Sequence, residues 1–444
     1  MKKNEPGVPG SNERRNFLKT SALLTGGVLL SRTPFAGPYA DPGGTIKIAL
    51  IGCGGRGTGA AMQALSTKFN LKLVAMGDAF RDRLDDSYKA LFEKFGKAKV
   101  DVAEDKKFVG FDAYKQAIAE ADVVLLATPP GFRPIHFEEA VKQNKHVFME
   151  KPVATDSPGV RRVLAAAEEA KRKKLNVVVG LQRRYQVNYR ETLKRMQDGA
   201  IGDVFSGQVY WNSGGVWVRP RQPGQTEMEY QMRNWYYFNW LCGDHINEQH
   251  IHNIDIANWV KDSYPVSAQG TGSRFLRTGK DYGEIYDNHT VEFIYADGSV
   301  IQSQCRHYEG TDNRVDESFQ ATKGKVYLSA NNSGKLWDYK GNVIYDHAGK
   351  NDPNPYQTEH DELFAAIDAG KFVFSDAERV AKSTMTSLLG RYATYSGTKV
   401  MWDDAIKSGI NLLPDRFAWD ATPKVLPDAD GLYPFAIPGK SKVI

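Results

Sequence analysis

The run Ile46-Lys47-Ile48-Ala49-Leu50-Ile51-Gly52-Cys53-Gly54-Gly55-Arg56-Gly57 constrains this chain more than any other segment. An apolar, strand-like stretch enters a turn with glycine at Gly52, Gly54 and Gly57, and a helical pattern follows directly. In such a strand–turn–helix unit the first glycine permits the tight reversal. The second lets backbone approach a bulky anion, and the third lets helix and strand close up. The helix entry offers unpaired N–H groups and the positive end of its dipole to phosphate. Gly55 and Arg56 share that turn and are expected at the phosphates. Asp78 follows the next apolar run, Leu71 to Met76, where a carboxylate accepts hydrogen bonds from ribose hydroxyls. The pattern predicts a dinucleotide site. NAD is favoured because a carboxylate repels a 2′-phosphate, while Arg81 and Arg83 keep NADP possible.

Strand and helix patterns alternate from residue 45 to 182. Apolar runs at 46–51, 71–76, 121–128, 146–149 and 176–180 are separated by helical stretches such as 59–68, 134–143 and 159–171. Buried runs separated by amphipathic helices indicate a parallel sheet covered on both faces, and right-handed crossovers make it doubly wound. After Ile201 the strands become short and partly alternating, at 205–210, 289–295, 300–305, 318–321, 325–328 and 335–339. Asp297-Gly298 and Lys340-Gly341-Asn342 supply turns between them. The fold class expected is therefore α/β: a Rossmann sheet over residues 45–182 and an α+β domain with an open, mostly antiparallel sheet over 183–422. Helices are expected at 360–369 and 376–394, and residues 423–444 read as an extended surface arm. With 444 residues, two domains can each bury a core.

Residues 1–40 stand apart from the fold. Arg14-Arg15 with Phe17-Leu18-Lys19 precedes a short apolar run, Ala22 to Leu30, as in a twin-arginine export signal. The run is too short for a stable bilayer span, so no membrane span is expected in the mature protein and a periplasmic or otherwise exported location is. The formal charge of +5 is spread among interleaved acids and bases with no nucleic-acid signature, so nucleic acid is not an expected partner. Three cysteines, Cys53, Cys242 and Cys305, are too few for a disulfide framework.

The remaining chemistry gathers at strand ends. Thr128-Pro129 and Glu150-Lys151-Pro152 both close strands at the carboxyl edge, where such sheets bind ligands. Thr128, Pro129, Glu150 and Lys151 are expected at the cofactor. Lys151 is also expected to hold a substrate hydroxyl and shuttle its proton. His136 either faces the cofactor or caps its helix. Between His245 and Trp259, Glu248, His252 and Asp255 share one face if the segment is a single helix. A carboxylate beside His252 would raise its basicity and let it take a carbinol proton. A metal site from His245, His250, His252 and Glu248 competes with this, as does a satisfied structural histidine; no metal motif fits the spacing, and none is expected. The aromatic stretch from Trp211 to Trp240 suits the C–H faces of sugars. Within it Trp235, together with His250 and Arg183, is expected to border the substrate.

Taken together, the Gly52–Gly57 turn, Glu150-Lys151-Pro152, the run Gly199 to Val204 and Glu248-x-x-x-His252-x-x-Asp255 resemble the Gfo/Idh/MocA oxidoreductases over about Ile46 to Tyr395. The resemblance implies a Rossmann domain joined to an open sheet that mediates oligomers, and NAD(P)-dependent redox chemistry on a carbinol of a sugar or cyclitol. It aligns Lys151 with the family's lysine, and Glu248 and His252 with its D-x-x-x-H pair. This chain departs in having glutamate at 248 and histidine at 250. An exported enzyme meets no pool of free dinucleotide, so a tightly held, internally recycled cofactor is expected. The alternatives are an NAD-dependent glycoside hydrolase working by transient ring oxidation and elimination, and a non-catalytic sugar or nucleotide sensor.

Overall fold

A computed structural model describes residues 44–444. The export signal expected over residues 1–40 lies outside the described residues. Six parallel strands form the first sheet: β1 (Ile46–Ile51), β2 (Leu71–Asp78), β3 (Lys107–Val109), β4 (Val123–Leu126), β5 (His146–Met149) and β6 (Val177–Val179). Their order is β3-β2-β1-β4-β5-β6, the doubly wound arrangement. The order reverses between β1 and β4, so the loops after these two strands part and leave a crevice at the carboxyl edge.

The burial of β1, β4 and β5 explains their apolar runs: from Ile48 onward β1 is buried, as are β4 and β5 throughout. One difference from the sequence pattern bears on the site. The first helix spans Gly55–Leu65 rather than beginning at residue 59. It starts inside the glycine turn because Gly54 acts as its N-cap.

The second sheet has nine strands: β7 (Val204–Ser213), β8 (Ser267–Ser273), β9 (Asn288–Ile294), β10 (Val300–His307), β11 (Arg314–Ala321), β12 (Gly324–Ser329), β13 (Ser333–Asp338), β14 (Val343–Ala348) and β15 (Val400–Met401). Its order is β14-β13-β12-β11-β7-β10-β9-β8-β15, with β10 and β7 parallel and all other pairs antiparallel. Alternating burial along β9 and β10 gives this sheet one core face and one open face. Helices Ile251–Lys261 and Asp376–Ser396 cover the core face.

Both sheets belong to one compact unit, Pro38–Ile444. The long helix Asp376–Ser396 packs on both of them, and helix Pro355–Asp368 closes the Rossmann side with Leu363, Phe364 and Ile367. Regular structure ends at Lys407. Phe417 and Trp419 contact Phe111, and Trp419 contacts Phe80 at 5.0 Å. Residues 423–444, expected as an extended surface arm, carry no helix or strand and are mostly exposed, with Tyr433 buried. No helix among the described residues is long and apolar enough to cross a membrane.

Candidate active site

Gly52 takes φ +93°, and a Cβ there would stand 2.5 Å from the Thr128 amide nitrogen. A Cβ on Gly57 would stand 1.9 Å from the Gly52 carbonyl oxygen. These two glycines are thus demanded by the backbone itself. Gly54 and Gly55 differ: a Cβ on either meets no protein atom within 4 Å, and both line a cavity of about 440 Å³. Gly54 caps its helix without a side-chain hydrogen bond, which leaves the first-turn amides to whatever enters. That combination fits an anionic pyrophosphate.

The same cavity is lined by Arg56, Asp78, Thr128, Pro129 and His136. The Asp78 carboxylate accepts from the N–H groups of Cys53 (2.6 Å) and Phe80 (2.8 Å). Burial raises its pKa above the ordinary aspartate value, against the pull of those bonds. His136 lies inside helix Arg133–Lys142, shares a hydrogen bond with Thr128 Oγ1 (3.1 Å) and stacks on Tyr114 at 4.2 Å. Burial first, then Arg133 and Arg162, lower its pKa to about 3, so it is neutral at physiological pH.

Phe80, Phe111 and Tyr114, on the Rossmann side of the cavity, carry no recognisable sequence signal. Trp217, Arg219, Met232 and Arg233 come from the aromatic stretch after β7, which the sequence marks but places at a sugar. Trp235, expected at the substrate, lines this cavity with the glycine turn. Arg233 ties the two parts together through Asp82 (3.0 Å) and lies 4.1 Å from the Phe80 ring centroid.

The strand-end motif after β5 divides its tasks. Glu150 does not line the cavity; its carboxylate pairs with Arg56 Nε at 2.5 Å, which corrects its expected place at the cofactor. Lys151, also expected at the cofactor, does not line the cavity either; its Nζ reaches across to the second domain and donates to the Glu248 carbonyl (2.6 Å) and to Glu248 Oε1 (2.9 Å). The pair is largely shielded, with side chains 13% and 11% exposed, so it is screened far less than a surface ion pair.

The expected single helix through Glu248, His252 and Asp255 does not exist. A short helix ends at Glu248, the chain turns at Gln249-His250, and a new helix begins at Ile251. The three side chains therefore part company. Asp255 is only 1% exposed and is gripped by Arg184 (2.7 and 3.0 Å) and Ser383 (2.7 Å), which makes it a structural carboxylate rather than a catalytic one. His252 stacks on Trp211 at 5.7 Å, and neither Glu248 nor Asp255 is hydrogen-bonded to it. Burial first, then the charges of Lys151 and Arg183, lower its pKa well below the usual histidine value. The expected rise in basicity is thus reversed.

Two further expectations also change. His250 is fully buried and bonds Ser303 Oγ at 2.8 Å, with its Nε2 turned toward β10. Arg183 is buried against Glu317, which also accepts from Tyr189 (2.9 Å) and Asn253 (2.6 Å). Both residues bind protein rather than bordering an open crevice. The rival metal set fails with them, since His250 and Glu248 are committed elsewhere. Cys53, Cys242 and Cys305 are free and buried.

Comparison with known proteins follows the same lines. Residues 46–180 match the family model described as "Oxidoreductase family, NAD-binding Rossmann fold". The chain is 26% identical to an inositol 2-dehydrogenase of Rhizobium meliloti strain 1021 over 284 residues, 64% of this chain and 75% of that one. It is 23% identical to a glycosyl hydrolase family 109 protein of Solibacter usitatus over 355 residues, 76% of this chain and 77% of that one. The crystal structure of scyllo-inositol dehydrogenase from Lactobacillus casei with bound NAD(H) and scyllo-inositol shares the fold, with a TM-score of 0.61 at 19% identity over 81% of this chain and 100% of that one.

Proposed function

The chain belongs to the Gfo/Idh/MocA oxidoreductases, and from that premise we propose that it transfers hydride between a carbinol carbon of a sugar, cyclitol or glycoside and NAD held in the glycine-turn cavity. The observation that carries this assignment is the Lys151–Glu248 contact, which suspends a cationic hydrogen-bond donor at the carboxyl edge of the sheet that also bears the glycine turn. A bound nicotinamide supplies the hydride acceptor. Lys151 Nζ donates to the substrate oxygen and stabilises the negative charge that grows there as hydride leaves. Glu248 fixes the direction of that donor. His252, neutral because of its burial and its cationic neighbours, takes the hydroxyl proton on a ring nitrogen and returns it in the reverse direction.

Asp78 supports NAD over NADP, because its fixed carboxylate repels a 2′-phosphate. Tight retention of the nucleotide is supported by the wall that Trp217, Arg219, Arg233 and Trp235 add to the cavity. Retention suits an exported enzyme, which the Arg14-Arg15 segment argues for. Association of copies through the second sheet is supported by its open face, where Phe205 is 51% exposed. Light scattering on the purified protein measures that directly.

The deciding experiment denatures purified protein and identifies the released nucleotide, then supplies polyols and monosaccharides. The expected result is about one NAD(H) per chain, reduced in step with substrate oxidation. Absence of nucleotide, together with failure to bind added NAD, would refute the proposal. The Solibacter relative favours one alternative, redox-neutral glycoside cleavage. Release of free sugar from an aryl glycoside without lasting change in nicotinamide absorbance would establish it instead.

A further inference from the structure

Outside the cavity, a second group of chemically able side chains meets in the core. Asp244 joins helix Asn239–Cys242 to helix His245–Glu248, and its backbone takes φ +71°, a left-handed value that non-glycine residues rarely adopt. The conformation turns its carboxylate toward His245 and toward His289 of β9. Asp244 Oδ1 lies 3.9 Å from His245 Nε2, and Oδ2 lies 3.3 Å from His289 Nε2. One ligand-capable atom from each of the three lies within 4.8 Å of the other two, and all three residues are at most 1% exposed. His307 of β10 stacks on His245 at 4.3 Å.

The hydrogen bonding there is incomplete in an informative way. Both ring nitrogens of His245, both of His307 and Nε2 of His289 lack a hydrogen-bond partner among the described residues. A buried polar atom without a partner is costly, and a group of them calls for an unseen ion or water. The tautomer of His289 sharpens the choice. Thr394 donates its hydroxyl hydrogen to the Arg391 carbonyl (3.0 Å), so it accepts from His289 Nδ1 (2.9 Å). In a neutral ring, Nε2 then points a lone pair at a carboxylate that already accepts from the Tyr286 N–H (3.0 Å) and the Tyr395 hydroxyl (2.5 Å). Lone pair against carboxylate is repulsive unless a proton or a metal ion lies between them, and the unpartnered nitrogens of His245 beside the same carboxylate favour the metal.

We propose that Asp244, His245 and His289 bind a divalent transition-metal ion of the zinc class. Two imidazoles and a carboxylate are a donor set that suits zinc, and bonds of about 2.0–2.2 Å bring tetrahedral ligands to separations of about 3.3–3.6 Å. The Asp244–His289 distance of 3.3 Å already meets that range, while the His245 ring, 3.9 Å from the carboxylate, must close in on the ion. The Thr394 contact is the outer-shell hydrogen bond that a metal-bound histidine characteristically makes. The ion is structural. It anchors the Asp244 turn to β9, and the helix leaving that turn ends at Glu248, the residue that holds Lys151. Metal occupancy thus steadies the lysine's partner without touching the substrate.

Metal analysis of untagged protein after incubation with zinc chloride and gel filtration is the test. The expected content is about one zinc per chain, falling at least about tenfold in His245→Asn and in His289→Asn. Cobalt(II) added to metal-stripped wild-type protein reads the same site without any variant. Intense visible bands from a tetrahedral nitrogen-containing set are expected, and one equivalent of zinc should abolish them. Zinc-free wild-type protein, zinc binding indifferent to both substitutions, or a cobalt spectrum of hexahydrate type would each overturn the proposal. The cluster would then be a buried Asp244–His289 ion pair.

Discussion

A substitution at Lys151 separates chemistry from binding. The Nζ donates to Glu248 and does not line the nucleotide cavity, so Lys151→Met should lower kcat by about 10²–10⁴-fold while the protein keeps its nucleotide. Steady-state kinetics with nucleotide analysis of the same preparation check both halves. Glu248→Gln should cost far less, roughly tenfold, because the residue's own carbonyl still holds Nζ at 2.6 Å. The glycines make a sharper pair. Gly57→Ala forces a Cβ onto the Gly52 carbonyl and should destabilise the fold by about 1–3 kcal/mol or more. Gly54→Ala meets no protein atom and should leave the melting temperature of nucleotide-free protein unchanged while weakening nucleotide binding. Equal melting temperatures for the two variants would contradict this division. The turn was legible in sequence because its glycines answer to backbone geometry within one short segment. The partnership of His252 was not, because spacing along the chain presumes an unbroken helix and the turn at Gln249-His250 breaks it.

At the scale of elements, the site is a cleft between a sheet edge and an inserted segment. Trp217 and Trp235 contact each other at 5.7 Å, and Arg233 clamps Asp82 and Phe80. If this segment retains the cofactor, Arg233→Ala should speed nucleotide loss by about tenfold, the worth of one partly shielded charge contact. Loss is followed as nicotinamide fluorescence shed during dialysis, and an unchanged rate would leave the wall without a retaining role. The sequence marked this stretch as rich in aromatics but assigned it to sugar. Aromatic and arginine side chains serve both ligands, and only tertiary placement brings Trp235 beside the glycine turn. The parallel strands were readable because burial on both faces leaves continuous apolar runs. Strand β8 lacked that cue. Ser267-Ala268-Gln269-Gly270-Thr271-Gly272-Ser273 has almost no apolar content, and it is held in the sheet by pairing with β9.

Across the whole molecule, buried neutral histidines set the response to acid. His136, His250 and His360 lie in different parts of the core, and burial leads the causes that lower each pKa to about 3. In the unfolded chain each returns to about 6.5. Between those values the unfolded state binds more protons than the native one, so stability rises with pH across the window. The contribution is fully present above pH about 6.5 and is lost progressively on acidification toward pH about 3. Each site adds a slope of at most about 1.4 kcal/mol per pH unit. His360 isolates the effect, since it packs on Phe148 at 4.2 Å and neither ring nitrogen has a hydrogen-bond partner. His360→Leu removes the proton site at similar volume and sacrifices no hydrogen bond. Urea unfolding at pH 7.5, 6 and 5 under one nucleotide load should therefore show a shallower fall for His360→Leu than for wild type. Parallel lines for the two proteins would mean that His360 does not take up its proton on unfolding, and the slope between pH 7.5 and 5 would then belong to the other buried histidines, His136 and His250.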